Sequence, residues 1–498
     1  MTTRRRFVHA ASTALALQSI RAAEPDPDFA KAMEAVRSAM PLAEADPQRP
    51  RYHFHPPANW TNDPNGTIFY KGWHHLFYQL NPFAARIGSQ HWGHARSRDL
   101  VNWEHLSIAI WPSADKGERA IYSGGAILAG DGRPRLIYTS IGHAQPEQWM
   151  VTPKADDLFS WEKYPGNPIL TQAAHGDRMV NQWRDPFLFH EGGQTYMVCG
   201  GSIPGGRGGA GQVQLYRAQK DDLSQWKHLG AVFQAGERDI FNIECPNLFH
   251  LDGKWVLIIS PHRPCEYYVG DLDLTRVRFT PETRGVLDPG DAYASNISVD
   301  AGGRTLLWLW GRTNTPAERG WGSLITMPRV LSIGADGFLR QTPAPEFETL
   351  RGEAKSFTPA SLEKPIVLDG VPGDSTEIEA EFSGAGAHGF ELRRNAAGKP
   401  GIVVSIQGQY LNVGSARTYV GNAGRSKLRI FLDKRCIEVY ANDGAATVYN
   451  WVDAGDDAQG IAVFGQAGGR GTPVPPRLES LKVWPIKPAQ FNMDRFHI

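Results

Sequence analysis

The chain has 498 residues, which at roughly 150 residues per domain leaves room for about three domains, and for fewer if the architecture is a large β one. Lys+Arg and Asp+Glu are both 52, so the formal net charge is zero; this argues against a nucleic-acid partner, which would call for a basic excess. Hydrophobic residues at 41% and charged residues at 21% exclude a disordered or collagen-like chain.

The N-terminus reads as a targeting segment. Thr3-Arg4-Arg5-Arg6-Phe7-Val8 resembles a bacterial twin-arginine export signal, and the mildly apolar stretch at 10–20 follows it. That stretch is too short to span a bilayer. Residues 1–23 are therefore set aside as an export signal, which predicts a periplasmic or secreted protein. No later apolar run is long enough for a transmembrane helix, so no membrane partner is expected. In residues 24–49, Phe29, Met33, Val36 and Met40 recur at i, i+4, i+7 and i+11, one face of a short helix.

An internal repeat fills the next 300 residues. Segments 62–80, 123–141, 184–201, 244–261 and 296–312 share one shape: a polar or acidic start, an apolar strand, a Gly-containing turn and a second strand. Their starts are spaced by 61, 61, 60 and 52 residues. The turns between alternating strands are hairpin signals. A second element, D-L-x-x-W, follows the first three units, ending at Trp103, Trp161 and Trp226. Each reads as the turn before an outer strand, with its Trp packing between neighbouring units. Five such units predict an all-β fold whose first part, residues 50–345, is a five-bladed β-propeller. Residues 346–365, rich in proline and mixed charge, read as a linker. Residues 366–498 carry short alternating strands without the repeat, which predicts a β-sandwich.

The repeat also locates the chemistry. The first strand of each blade lines a propeller's axis, so residues that start it converge on one mouth. Three units place an acid there: Asp63, Asp185 and Glu244. Like charges held together cannot all stay ionised at neutral pH, so at least one pKa should be raised. A raised acid beside an ionised carboxylate is the pairing used in glycoside hydrolysis. Glu244, beside Cys245 and Phe241, is the expected raised acid, and Asp63, among turn amides, the ionised one. Other patterns carry less. The G-x-G-x-x-G at 206–211 precedes a strand rather than a helix and reads as a hairpin loop. His91 and His94 have no third ligand at metal spacing. Four scattered cysteines, Cys199, Cys245, Cys265 and Cys436, without a C-x-x-C pair, predict neither a disulfide scaffold nor a zinc site.

Several ordered motifs then carry a family resemblance. Trp60-Thr-Asn-Asp-Pro-Asn-Gly66, Phe77-Tyr-Gln79, Trp92-Gly-His-Ala95, Tyr122-Ser-Gly124, Trp183-Arg-Asp-Pro186, Glu244-Cys-Pro246 and Asp291-Ala-Tyr-Ala-Ser295 stand in the order found in glycoside hydrolase family 32, which the chain resembles over residues 50–487. The resemblance implies retaining hydrolysis of small or polymeric β-D-fructofuranosides, with no metal and no cofactor. It implies Asp63 as nucleophile, Glu244 as acid/base and Asp185 as the residue that holds ring hydroxyls and stabilises the transition state, with Arg184 keeping it ionised. Asn62, Gln79, Tyr122, Ser123 and Arg184 fall in the implied substrate-binding set, with Trp310 at the pocket wall. Ile87 departs from the family, which usually has Trp there; Thr61 and Ala292 depart as well. The readings left open are fructosyl transfer, a related furanosidase and a non-catalytic fructan-binding protein.

Overall fold

The computed structural model describes residues 26–203, 210–236, 240–421, 424–467 and 475–497. The expected export signal at 1–23 and most of the glycine run at 206–211 lie outside the described residues.

Five antiparallel four-stranded meanders follow one another along the chain. Their innermost strands are Asn59–Tyr70, Ala120–Leu128, Asn181–Glu191, Glu244–Leu251 and Ala292–Val299. Each lies beside the next, and the fifth returns to the first, so the sheets close into a propeller of blades I to V. No backbone ladder joins these inner strands to one another; asparagine side chains do part of that work. Asn65 Oδ1 accepts from Gly124 N at 3.0 Å, Asn296 Oδ1 from Thr67 N at 3.0 Å, and Asn247 Nδ2 donates to Ser295 O at 3.2 Å. Each bridge satisfies a backbone group that would otherwise be buried without a partner.

The D-L-x-x-W element behaves as its spacing predicts. Trp103, Trp161 and Trp226 open the outer strands of blades I, II and III. Before them Leu100, Leu158 and Leu223 all sit in the left-handed region, at φ of 65°, 59° and 65°. That conformation costs a non-glycine residue about 1–2 kcal/mol. All three leucines are fully buried, and burial returns about 1.5–3 kcal/mol each, so packing wins over strain. Trp161 stands edge-on against Phe77 of the preceding blade, ring centroids 5.4 Å apart.

The expected helix is Pro27–Glu44, capped by the Asp26 carboxylate, which accepts from Asp28 N at 2.9 Å. It buries Ala32, Met33, Val36 and Ala43 against the propeller.

The C-terminal unit is a sandwich of a seven-stranded and a six-stranded sheet. The expected boundaries need correction on both sides. Segment 346–365 is not a free linker: it holds the short helix Pro345–Leu350 and the strands Lys355–Phe357 and Ala360–Ser361, both paired to Arg477–Pro485 of the sandwich. At the other end, Phe491–Arg495 leaves the sandwich and pairs in parallel with blade I's outer strand. Both corrections share a cause. Strands too short to show alternation are recruited by the edges of sheets that would otherwise be left with unpaired backbone groups.

Alternation in the seven-stranded sheet explains the contact between the domains. Leu428, Ile430, Leu432, Ile437 and Val439 face the sandwich core. Their neighbours Phe431, Cys436 and Tyr440 pack with the propeller core. Among these second-face residues lie charges that are completely buried. His53 Nδ1 bonds Asp433 Oδ2 at 2.9 Å, and His53 Nε2 lies 3.3 Å from Glu438 Oε1. Arg329 of blade V pairs with Glu438 at 3.0 Å and with Asp288 of blade IV at 2.9 Å. Burial alone would raise Glu438, but Arg329 and His53 outweigh it and hold the carboxyl at about 2. A carboxyl lowered from 4.5 to about 2 contributes stability that is complete above the unfolded-state value and is lost as pH falls through the folded one. Glu438→Gln should therefore cost about 3 kcal/mol, the worth of that lowering, while Arg329 keeps Asp288 and His53 keeps Asp433. It should also flatten the pH dependence of unfolding between pH 4.5 and 2, which thermal and denaturant melts across that range measure.

Candidate active site

At the mouth of the propeller, every inner strand carries one residue more than its partner. In blade I, Asn62 and Asp63 face the single residue Gln79; in blade II, Tyr122 and Ser123 face Thr139. In blade III, Asp185 and Pro186 face Cys199; in blade IV, Cys245 and Pro246 face Ile259; in blade V, Ala294 is the extra residue beside Tyr293. A bulge breaks the in-out alternation and re-aims the side chains around it. Asp185 and Cys245 take left-handed backbone conformations there, φ 62° and 44°. In blade I the turn is completed by Gly66 at φ 50°, where an added Cβ would meet Leu136 and Phe77 at 3.1 Å.

The re-aimed side chains surround one cavity of about 170 Å³, lined by Asn62, Asp63, Gln79, Tyr122, Ser123, Arg184, Asp185, Glu244 and Trp310, and also by Ile87, Gln90 and Tyr293. All nine expected site residues meet here. A larger cavity of about 740 Å³, between the outer strands of blades III and IV, is lined by none of them.

Hydrogen bonds fix the carboxylates. Ser123 Oγ donates to Asp63 Oδ2 at 2.5 Å and accepts from Gln79 Nε2 at 2.8 Å. Asn62 Nδ2 donates to Asp63 Oδ1 at 3.1 Å and also reaches Gln79 Oε1. Cys245 N donates to Asp185 Oδ2 at 3.0 Å, and its thiol lies 3.6 Å from Asp63 and 3.7 Å from Asp185. Arg184 hydrogen-bonds Glu244 and stands 3.7 Å from Asp185. Tyr293 donates to Glu244 Oε2 at 2.7 Å. Trp310 stands edge-to-face with Trp60 and with Tyr293, centroids 6.0 and 6.4 Å apart.

The electrostatics depart from expectation in two ways. Asp63, expected to stay ionised, is raised: burial dominates, the Ser123 hydrogen bond opposes it, and the Glu244 charge adds to it. Asp185 is pushed up to about 7 by burial; Arg184 pulls it down, while Glu244 and Asp63 push it further up. Arg184 thus does not hold Asp185 in the usual carboxylate range, because burial outweighs its pull. Cys245, next to Glu244 in the chain, bonds the other two acids.

Sequence reasoning missed Tyr293 as a site residue. Its signal was present, since Asp291-Ala-Tyr-Ala-Ser295 opens the fifth inner strand as the other motifs open theirs. Gln90 left no signal of its own. Elsewhere, His94 pairs with His75 at 3.0 Å and stacks on Phe77, a packed core pair. One group of possible metal ligands comes together among the described residues: His53, Asp433 and Cys436. Their ligand atoms are already engaged. Asp433 Oδ2 accepts from Tyr52 N, His53 N and His53 Nδ1, and Cys436 Sγ bonds Asp433 O at 3.1 Å. The four cysteines are free and buried.

Residues 53–343 match the glycosyl hydrolases family 32 N-terminal domain, and residues 346–485 the family 32 C-terminal domain. The chain belongs to glycoside hydrolase family 32. It is 32% identical to a levanase of Bacillus subtilis over 88% of this chain and 70% of that one. It is 34% identical to a cell-wall β-fructofuranosidase of Zea mays over 67% of this chain and 62% of that one. Among solved structures, the fructan 1-exohydrolase IIa of Cichorium intybus superposes with a TM-score of 0.81 at 24% identity, over 90% and 99% of the two chains. A family 32 β-fructofuranosidase of Bombyx mori, solved as a mutant with sucrose, gives 0.75 at 25% identity, over 92% and 98%. Within this family 32 chain, Ile87 sits on the rim of the cavity and is 60% exposed, so the mouth has an aliphatic side chain there and no flat ring.

The Ser123 hydroxyl is the strongest influence holding Asp63 down. Its removal lets the Asp63 pKa rise further, so the carboxylate forms only from a higher pH upward. Ser123→Ala should move the acidic limb of kcat/KM to higher pH. It should also lower kcat about 10–100-fold, the worth of one hydrogen bond to a charge. A pH–rate profile on a small glycoside checks both.

Proposed function

We propose that this glycoside hydrolase cleaves β-D-fructofuranosidic bonds with retention, through a covalent fructosyl-enzyme. The observation that carries the reading is the convergence of Asp63, Asp185 and Glu244, from three different blades, on one small cavity already furnished with hydroxyl-binding groups. Relatives named as a levanase and β-fructofuranosidases support the sugar, and a neighbour solved with sucrose supports the substrate class.

The steps follow from the side chains. Asp63 attacks C2 of the fructosyl ring, and the C2–O bond to the leaving group breaks. Glu244 gives its proton to the departing oxygen. Water then enters; Glu244 takes a proton from it, the water oxygen bonds C2, and the C2–Asp63 bond breaks, which releases fructose and returns Asp63 as a carboxylate. Asn62, Gln79 and Ser123, linked to one another and to Asp63, are placed to hold ring hydroxyls. Asp185, with an apparent value near neutrality, can accept a hydrogen bond from a sugar hydroxyl as it ionises. Tyr293 and Arg184 hold the two oxygens of Glu244. Trp310 forms the wall.

Asp63→Ala should lower kcat by more than about a thousandfold. Glu244→Ala should hurt substrates with poor leaving groups most, and added azide should restore turnover with β-fructosyl azide as product, identified by NMR. Azide rescue of Asp63→Ala in its place would reverse the two roles.

The N-terminal Arg4-Arg5-Arg6 supports export by a twin-arginine route, which would put the enzyme where extracellular fructosides are met. Replacing these three arginines by lysine should leave the enzyme in the cytoplasmic fraction, read by activity after cell fractionation.

A further inference from the structure

A second pair of rings lies just outside the sugar cavity. His262 follows the second strand of blade IV, and Phe241 precedes the first. Their rings stack, centroids 5.0 Å apart and 17° from parallel. Both are open to solvent: Phe241 is 47% exposed, and the His262 side chain 35%. Neither lines the cavity that holds the three acids.

The histidine is held, not hanging. Its backbone N–H donates to Tyr293 Oη at 2.9 Å, and its ring Nε2 accepts from Asn242 Nδ2 at 3.1 Å. With Nε2 accepting, the neutral ring carries its proton on Nδ1. That atom faces Glu244 Oε2 at 3.7 Å. The His262 backbone therefore shares the Tyr293 hydroxyl with Glu244, and the ring is oriented by Asn242 and by the stack on Phe241.

We infer that the stacked Phe241–His262 pair is the platform for the leaving group, and that it takes a pyranose or furanose ring by its C–H face. The geometry gives the direction. The oxygen that Glu244 protonates is the one joining the fructosyl unit to its leaving group. A ring that touches Glu244 from outside the fructosyl cavity stands on the leaving-group side. The flat surface gives the chemistry. A sugar presents an apolar face of axial C–H groups, and an aromatic ring buries such a face well while a short aliphatic side chain does not. Ile87, on the same rim, offers no such face, and Tyr122, Tyr293 and Trp310 line the fructosyl cavity itself, so the stacked pair is a flat surface beside the acid on its outer side.

The inference rests on the fructosidase reading, and the test separates the two. Sucrose and methyl β-D-fructofuranoside share the fructosyl unit and differ in whether the leaving group has a ring. Wild type, Phe241→Ala, His262→Ala and His262→Phe are compared by kcat and KM on both. The expected result is a fall of about fivefold or more in the ratio of kcat/KM for sucrose to that for the methyl glycoside. It should appear in Phe241→Ala and in His262→Ala, carried by KM, and His262→Phe, which keeps the flat face, should restore most of it. An equal loss on both substrates would make the pair a support for Glu244 and overturn the platform, as would an unchanged ratio. A ratio that falls in His262→Phe as far as in His262→Ala would assign the effect to the nitrogen and overturn stacking. If wild type hydrolyses neither fructoside, the fructosidase reading itself fails, and the platform with it.

Discussion

A bulge at the mouth end of an inner strand sets two residues against one, and the local alternation of side chains is broken there. In this molecule the same insertion recurs in all five blades, always where the strand meets the funnel. Without it, neighbouring residues such as Arg184 and Asp185 would point to opposite faces of the sheet. With it, both reach one cavity. The bulged segments also leave backbone groups free to serve as site ligands, as Cys245 N does for Asp185.

That arrangement brings a penalty. Three carboxylates are drawn together where water is largely excluded, and burial is the leading influence on both Asp63 and Asp185. One guanidinium, Arg184, faces two of the three acids. Neutral donors do the rest: a serine hydroxyl, an amide and a backbone N–H. Neutral donors stabilise a carboxylate without adding a positive charge, which leaves room for an acid and a base to coexist and exchange a proton during turnover.

The cavity keeps its shape because the ring of blades is held from outside. The C-terminal strand Phe491–Arg495 lies along blade I, and Trp321–Gly322 pairs with the start of blade I's inner strand, two residues before Asn62. Below the blades, the network of His53, Asp433, Glu438, Arg329 and Asp288 joins blades IV and V to the sandwich with charges fully withdrawn from water. Such charges require definite partners, so they define one docking of the two domains and disfavour others.

Much of this was legible in the sequence because it depends on local pattern. The 60-residue period, the hairpin turns and D-L-x-x-W are short-range features, and they determined the number of blades and the packing of Trp103, Trp161 and Trp226. Asp63, Asp185 and Glu244 could be brought together on paper because the repeat puts them at equivalent positions. Other features were decided only in three dimensions. Arg184 precedes Asp185 in the chain yet hydrogen-bonds Glu244 from the next blade, because the bulge turns its side chain across the funnel. Burial, a property of the closed ring, raises Asp63 above its ordinary value, a shift the turn sequence around it does not show. Short strands such as Lys355–Phe357 and Phe491–Arg495 carry too few residues to show a period, and sheet edges far away in sequence recruit them. The Phe241–His262 stack joins two loops of one blade that no motif connects. Sequence determines what repeats; the closed fold determines which side chains share a dielectric, a hydrogen bond or a face.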